Sequence, residues 1–421
     1  MSIYEVLTPA TLANRLGALA PVAEAVGGAP SGWRVAEVGD GNLNLVFIVE
    51  GAAGSVVVKQ ALPYVRLVGD SWPLPLKRAF FEYNALVRQD ARDPGRVPSV
   101  YHFDDDQALI VMEHLNPHII LRGQMMAGRR VADLGGTIGR FCARTAFRGS
   151  DLAMKAAEKK ADVGLFSGNV ALCDITENLV FTDPYFDAPM NRHTAPQLDQ
   201  AVAALRADAA LKTEVQHLKR AFTAKAETLC HGDLHAGSIM VTESAARVID
   251  PEFAFYGPMG FDLGMLIGNY LMAYQATSAH ITDPVARGAY QDWILETISD
   301  TWAAFGAEFA RLWRAERTGI LYPRNLFEDQ GHLRAADVAM EELLSEILSD
   351  LLGFAGIEMH RRILGLAHIA EFDSIIDDDL RAGLEERCLF LGRALVLDRH
   401  RISSMDQVLA MARKAASGVK A

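Results

Sequence analysis

His231-Gly-Asp-Leu-His-Ala-Gly-Ser-Ile-Met240, followed by Val248-Ile-Asp-Pro-Glu252, is the stretch whose reading decides the fold. Asp233 sits on a short polar turn after an apolar lead-in. Asp250 and Glu252 close the next apolar run. In-line transfer of a phosphoryl group to an alcohol calls for this order of carboxylates. One acid meets the acceptor hydroxyl, and acids at a later strand end hold a hard divalent cation. The Asp-Leu-His turn could also be local capping by an aspartate. Its place between two apolar runs favours chemistry. His231 and His235 are expected to support the loop by hydrogen bonds, not to act as bases.

Working outward, the segment before this stretch reads as a small sheet. Apolar runs at 35–38, 43–49 and 55–59 are separated by Gly-Asp-Gly-Asn and Ala-Ala-Gly-Ser turns, a meander with tight connections. Thr8-Pro9 predicts an N-cap and first-turn proline opening a helix to about residue 24. A helix over 75–88 follows from the near-helical spacing of Leu76, Phe80, Tyr83 and Leu86 or Val87, and strands over 100–103 and 108–113 flank Asp-Asp-Asp-Gln. Beyond that the chain is mostly helical: one helix marked by Val131, Leu134, Ile138 and Phe141, another over 201–218, and a bundle from 263 to 415. The fold class expected is α+β, a two-lobed protein-kinase-like fold with a small β-rich N-lobe (1–113) and a large, mostly helical C-lobe (114–421).

Further candidates take their places on that frame. Gly39, Asp40, Gly41, Asn42 and Asn44 lie on the turn before the second strand, where glycine lets backbone N–H groups approach phosphate oxygens. Lys59 ends the apolar strand Val56-Val-Val-Lys59, suited to neutralise phosphate, with Glu82 as its helical partner. Glu113 and Leu115, leaving the strand over 108–113, are placed to offer adenine a backbone acceptor and donor. Asp250 and Glu252 offer hard oxygen ligands to Mg2+. Asp262 is expected either to cap the next helix or to brace the catalytic loop. Arg361-Arg362, two adjacent guanidiniums ahead of an apolar helix face, would from composition alone be a solvated pair.

The chain has 421 residues, half of them apolar, with a net charge of -12. That is enough for two lobes and the wrong sign for a nucleic-acid partner. No apolar run has membrane-spanning length, and the N-terminus lacks a signal pattern. Cys142, Cys173, Cys230 and Cys388 are far apart in apolar contexts, which fits buried thiols in a reducing cytoplasm.

Together, Gly39-Asp-Gly-Asn-Leu-Asn44, His231-Gly-Asp-Leu-His-Ala-Gly-Ser238, Asp250-Pro-Glu-Phe-Ala-Phe-Tyr-Gly-Pro-Met-Gly-Phe-Asp262 and Arg361-Arg362 resemble the 5-methylthioribose kinases, a branch of the aminoglycoside phosphotransferase and choline kinase superfamily. The resemblance spans nearly the whole chain, and the Asp250–Met259 run is its most specific part. It implies ATP and Mg2+, the 1-hydroxyl of methylthioribose as acceptor, a place in methionine salvage and a homodimer. It also implies Asp233 as the base, Asp250 and Glu252 as metal ligands, and Arg361 and Arg362 serving the sugar and the transferred phosphoryl. Two departures from kinases in general stand out. Ser238 occupies the position of the usual metal-binding Asn, and Asp250-Pro-Glu252 replaces Asp-Phe-Gly. Trp72 falls where the family has a Trp-containing loop. The rival readings are a kinase for another small alcohol (choline, homoserine or an aminoglycoside) and a nucleotide-binding pseudokinase. Intact Lys59, Asp233, Asp250 and Glu252 speak against the last.

Overall fold

The computed structural model describes residues 4–38, 43–65 and 69–418. The chain forms two compact units, as a two-lobed fold requires. The first comprises Met1–His118 with Asn169–Leu172 and Arg247–Ala254, and the second comprises the rest.

The first unit is built on an antiparallel sheet of β1 (Arg34–Glu37), β2 (Asn44–Glu50), β3 (Ser55–Ala61), β6 (Val100–Asp104) and β7 (Leu109–Glu113), in the order β1-β2-β3-β7-β6. A two-stranded ribbon of β4 (Tyr64–Val65) and β5 (Gly69–Pro73), unforeseen from sequence, carries Trp72. Period-2 alternation sends Phe47, Val49, Val56 and Val58 to one face. There they bury against Leu12, Leu16, Val22 and Val26 of α1 (Pro9–Gly17) and α2 (Ala20–Val26). The single helix expected to reach residue 24 is thus two. A Cβ on Gly17 would stand 2.3 Å from Pro30 Cγ, so the chain turns there to let the proline in. Lys59 has the opposite parity. It faces α3 (Arg78–Arg92), which carries Glu82.

The second unit contains β8 (Ile119–Ile120), α4 (Leu121–Met126), α5 (Leu134–Arg148) and α6 (Ala156–Phe166). After α7 (Val170–Leu179) come α8 (Asp199–Ala207) and α9 (Ala209–Ala224), where one helix over 201–218 was expected. Asp208 divides them, its carboxylate capping α9 by accepting from Leu211 N–H at 3.0 Å. Next are β9 (Thr228–Cys230), β10 (Ile239–Val241), β11 (Ala246–Val248), whose last two residues belong to the first unit, and β12 (Phe255–Gly257). The bundle is α10 (Phe261–His280), α11 (Pro284–Ala315), α12 (Leu333–Leu364), α13 (Ala370–Asp373), α14 (Asp378–Asp398) and α15 (Met405–Ala416).

Two features of this bundle position chemistry. The 231–238 loop is strung between β9 and β10, and each strand is pinned by an antiparallel partner: Cys230 opposite Phe255 and Met240 opposite Ile120. The α10–α12 contact is a close approach along Gly260, Gly264 and Gly268. A Cβ on Gly264 would lie 2.6 Å from the Leu351 carbonyl, and one on Gly268 would lie 3.1 Å from Glu358 Cβ. Four-residue spacing puts all three glycines on one helix face, and that face seats the end of α12 that carries Glu358. On its other side α12 meets α14 just as closely: a Cβ on Gly356 would lie 2.3 Å from the Gly392 carbonyl.

Candidate active-site constellations

The first unit assembles an acidic constellation. Glu82, Asp250 and Glu252 each bring a carboxylate oxygen to within 4.8 Å of the others. Glu82 and Glu252 are buried, whereas the Asp250 side chain is 47% exposed. Asp250 has φ 68°, a left-handed conformation that Asp tolerates and that re-aims its carboxylate straight after the apolar strand. Lys59 Nζ lies 2.9 Å from Glu82 Oε1 and also contacts Asp250 Oδ1. Burial works against the ammonium, but Asp250, Glu82 and Glu252 outweigh it and push the Lys59 pKa up. Burial raises Glu82 and Glu252 in turn, and repulsion from the neighbouring carboxylates adds to it.

Asn44 and Arg78 hold Glu252. The Asn44 amide donates to Glu252 Oε2 at 3.0 Å and accepts from Arg78 Nη2 at 3.0 Å, and Arg78 Nε is 3.5 Å from the same carboxylate oxygen. Arg78 also ties down the carbonyls of Leu43 and Leu62. Asn169 donates to the carbonyls of Glu252 and Ala254. Asn44 was expected to serve phosphate from the turn, but its side chain is engaged with Glu252. Gly39, Asp40, Gly41 and Asn42, the rest of that expected lid, lie outside the described residues. The Glu113 N–H is spent on the Ser99 carbonyl, so Glu113 can meet adenine only through its own carbonyl. Its carboxylate takes Arg247 Nη2 at 2.6 Å. Leu115 is buried, 4% exposed. Trp72 is half-buried on its ribbon.

Among the described residues, Lys59 and Arg78 are the cations facing these three carboxyl groups. The cluster of hard oxygen donors fits a divalent ion of the Mg2+ kind, with Asp250 and Glu252 as expected ligands and Glu82 as a third oxygen source.

The second unit assembles the other constellation, around Asp233. Its side chain is 26% exposed, open enough to meet a substrate. Oδ1 accepts from Arg361 Nη2 at 2.9 Å, and Arg362 Nη2 stands 3.6 Å from the same atom. Oδ2 is 3.3 Å from His235 Nε2. Gly237 N–H donates to His235 Nδ1 at 2.8 Å, which puts the imidazole proton on Nε2, toward Asp233. Asp233 N–H donates to His231 Nδ1. Both histidines therefore shape the loop, as the sequence suggested. Burial alone would push Asp233 up, but His235 and the two guanidiniums overcome it and hold the carboxyl well below its usual range. The Ser238 hydroxyl donates to the Asp233 carbonyl at 2.8 Å, which commits it to the loop.

Of the two roles expected for Asp262, the structure shows the second: Gly260 holds the N-cap position, and the Asp262 carboxylate braces the loop by accepting the N–H groups of His231 and Gly232, at 2.6 and 3.0 Å. One expectation is corrected here. The arginine pair does not precede an apolar helix face. It lies in the last turn of α12, 9% and 7% exposed. There it is counterbalanced by Glu358, a fully buried acid that sequence reasoning missed although Glu358, Arg361 and Arg362 stand at i, i+3 and i+4. Arg78, Asn169 and Asn269 were missed as well.

A carboxylate held beside two buried guanidiniums, and an acidic nest suited to a divalent ion, are the parts a phosphotransferase needs. Residues 34–316 match the Phosphotransferase enzyme family. The chain is 44% identical over 413 residues to a methylthioribose kinase of Escherichia coli O45:K1, covering 97% of this chain and 98% of that one. It is 42% identical over 409 residues to methylthioribose kinase 1 of rice, Oryza sativa subsp. japonica, covering 96% and 94%. Among solved structures, a Plasmodium vivax ethanolamine kinase is similar at TM-score 0.41 and 9% identity, over 92% of this chain and 82% of that one. The chain belongs to the phosphotransferase enzyme family and, within it, to the methylthioribose kinases.

Proposed function

We propose that the chain transfers the γ-phosphoryl group of ATP to the 1-hydroxyl of methylthioribose, giving methylthioribose 1-phosphate for methionine salvage. The observation that carries this is the Asp233 carboxylate held beside two buried guanidiniums. Asp233 accepts the hydrogen bond of the acceptor hydroxyl and so fixes the attacking oxygen. A carboxylate stabilised this far below its usual pKa is a weak base. It takes the hydroxyl proton only as the new P–O bond forms, in keeping with a loose transition state. Arg361 and Arg362 offer directed donors to sugar oxygens and fixed positive charge to the phosphoryl oxygens. The same charge repels a cationic acceptor, which disfavours choline and aminoglycosides.

On the nucleotide side, Lys59 pairs with phosphate oxygens and Glu82 keeps the ammonium in place. Asp250 and Glu252 hold Mg2+, with Asn44 and Arg78 fixing Glu252. Held there by these residues, Mg2+ would supply positive charge to offset that of the phosphates. Gly39, Asp40, Gly41 and Asn42 cover the phosphates, and backbone groups at Glu113 and Leu115 read adenine. The family reading adds a homodimer acting in the cytoplasm on free small molecules, and four cysteines outside any disulfide fit a reducing compartment.

The test is product analysis. The enzyme is incubated with ATP, Mg2+ and methylthioribose, and the product is read by phosphorus-coupled proton NMR. Coupling from phosphorus to the anomeric proton is expected. Coupling at C2 or C3, or no ester at all, overturns the assignment.

A further inference from the structure

The i, i+3, i+4 spacing that brings Glu358 to both arginines is usually worth little, because on an exposed helix face such pairs are solvated. Here all three side chains are buried. Two adjacent guanidiniums out of water repel each other, and Glu358 is placed to offset both. Its oxygens divide the work. Oε2 takes Arg361 Nε, and Oε1 takes Arg362 Nε at 2.7 Å. With each Nε end pinned, the distal nitrogens are left to point at one target. Both Nη2 atoms stand over Asp233 Oδ1, at 2.9 and 3.6 Å. Arg362 Nη2 is buried and makes no hydrogen bond of its own, and its other terminal nitrogen, Nη1, has only a long bond of 3.4 Å to the Ala367 carbonyl, so the shorter clamp at Nε is the stronger hold on its direction.

Glu358 is itself held from α10. The Asn269 amide donates to Glu358 Oε1 at 2.8 Å and to the Met265 carbonyl at 3.0 Å. Asn269 Oδ1 accepts from Arg122 Nη2 at 2.9 Å, and Arg122 is paired in turn with Glu371. Gly268, the neighbour of Asn269, leaves the room in which Glu358 sits. We infer that Glu358 is a positioning residue, locked by Asn269, whose two carboxylate oxygens aim Arg361 and Arg362 at the acceptor hydroxyl and the transferring phosphoryl group beside Asp233.

The inference rests on the role proposed above for the arginine pair, so its test separates the two. Glu358→Gln keeps the shape but offers one acceptor oxygen where two were used, and its NH2 opposes a guanidinium N–H. Misaiming a donor by about 1 Å costs roughly 10²-fold in rate. The expected result is a fall of about 10²-fold in kcat with methylthioribose, with KM for ATP within about threefold of wild type. Glu358→Asp should recover part of the loss.

The decisive readout is a cycle. Added to Arg361→Met/Arg362→Met, Glu358→Gln should cost no more than about threefold, because there is nothing left to aim. A purely structural residue would carry its full loss into that background, and that overturns the proposal. So does kcat for Glu358→Gln within about threefold of wild type. If Glu358→Gln does not fold, Asn269→Leu answers in its place. A kcat loss that vanishes in the arginine-free background supports the clamp, and unchanged kcat overturns it. Wild-type kinetics in Arg361→Met/Arg362→Met alone would remove the arginine pair from the site itself. Loss there, with none in Glu358→Gln, removes only the clamp.

Discussion

Replacing Asp233 with asparagine alters one functional group and leaves its volume. In the folded protein Oδ1 is taken by Arg361 Nη2 at 2.9 Å, and Oδ2 faces the His235 Nε2 proton at 3.3 Å. An asparagine that keeps its oxygen toward Arg361 turns its NH2 onto His235, donor against donor. Flipped, it sets that NH2 against a guanidinium. In neither pose can it take a hydroxyl proton. Loss of a general base costs about 10²–10⁴ in rate, which is roughly 3–5 kcal/mol at 1.36 kcal/mol per decade. The lost alignment of the hydroxyl places the expectation near the middle, about 10³-fold in kcat. Lys59, Glu82, Asp250 and Glu252 are unchanged, so the Kd for ATP should stay within about threefold. Coupled ADP release at saturating methylthioribose gives kcat, and titration calorimetry gives Kd. A kcat within tenfold of wild type would refute the role of Asp233. A parallel collapse of ATP binding would refute its assignment to the acceptor side.

Three further expectations follow from the same geometry. Glu252→Gln should raise the Mg2+ concentration needed for half-maximal activity well above that of Ser238→Ala, since Glu252 is a carboxylate of the acidic nest and the Ser238 hydroxyl is committed to the Asp233 carbonyl. Mg2+ titrations ranking the two the other way contradict the metal assignment. His360 is buried, with Nδ1 accepting from the Tyr185 hydroxyl and Nε2–H donating to the Leu389 carbonyl, and burial pushes its pKa down to about 4. Between about 6.5 and 4 the unfolded chain binds the extra proton, so stability falls as pH falls through that window, by roughly 3 kcal/mol in all from this group. Urea unfolding at pH 7.5 and 5 should show a smaller pH dependence in His360→Gln, and an identical dependence in both proteins rules the histidine out as a cause. Gly264→Val should lower stability by about 1–3 kcal/mol or more through overpacking, because its Cβ would press to 2.6 Å on the Leu351 carbonyl and on Phe354 Cβ. An unchanged melting temperature would mean that α10 and α12 are not this close.

Much of the fold was legible because it is written in short-range chemistry. Alternation in β2 and β3, Thr8-Pro9 at the start of α1 and the turn glycines each act locally. The breaks at Gly17 and Asp208 were not, because the first depends on Pro30 arriving from another segment and the second on whether a mid-helix aspartate caps or stays in the helix. The acids proposed to carry the chemistry could be named because Asp233 sits on a polar turn after an apolar lead-in and Asp250 and Glu252 close the next apolar run. Arg78, Asn169, Asn269 and Glu358 could not. Each is an ordinary polar residue in an apolar or mixed helix or loop, and its role comes from a partner 34 or more residues away, or, for Glu358, from burial that turns a routine helical spacing into a clamp. The resemblance raised the arginine pair above a solvated surface pair, and its burial in the last turn of α12 supplies the physical reason.

The claim most worth testing is that this chain phosphorylates methylthioribose in preference to other small alcohols. The direct measurement is a competition: wild-type enzyme, ATP and Mg2+ with methylthioribose, choline, homoserine and an aminoglycoside at equal concentration, with each phosphorylated product quantified by mass spectrometry. Methylthioribose phosphate is expected as the dominant product, matched one to one by ADP. A phosphate ester on another alcohol in larger amount, or ATP binding with no ester formed on any of the four, would contradict it.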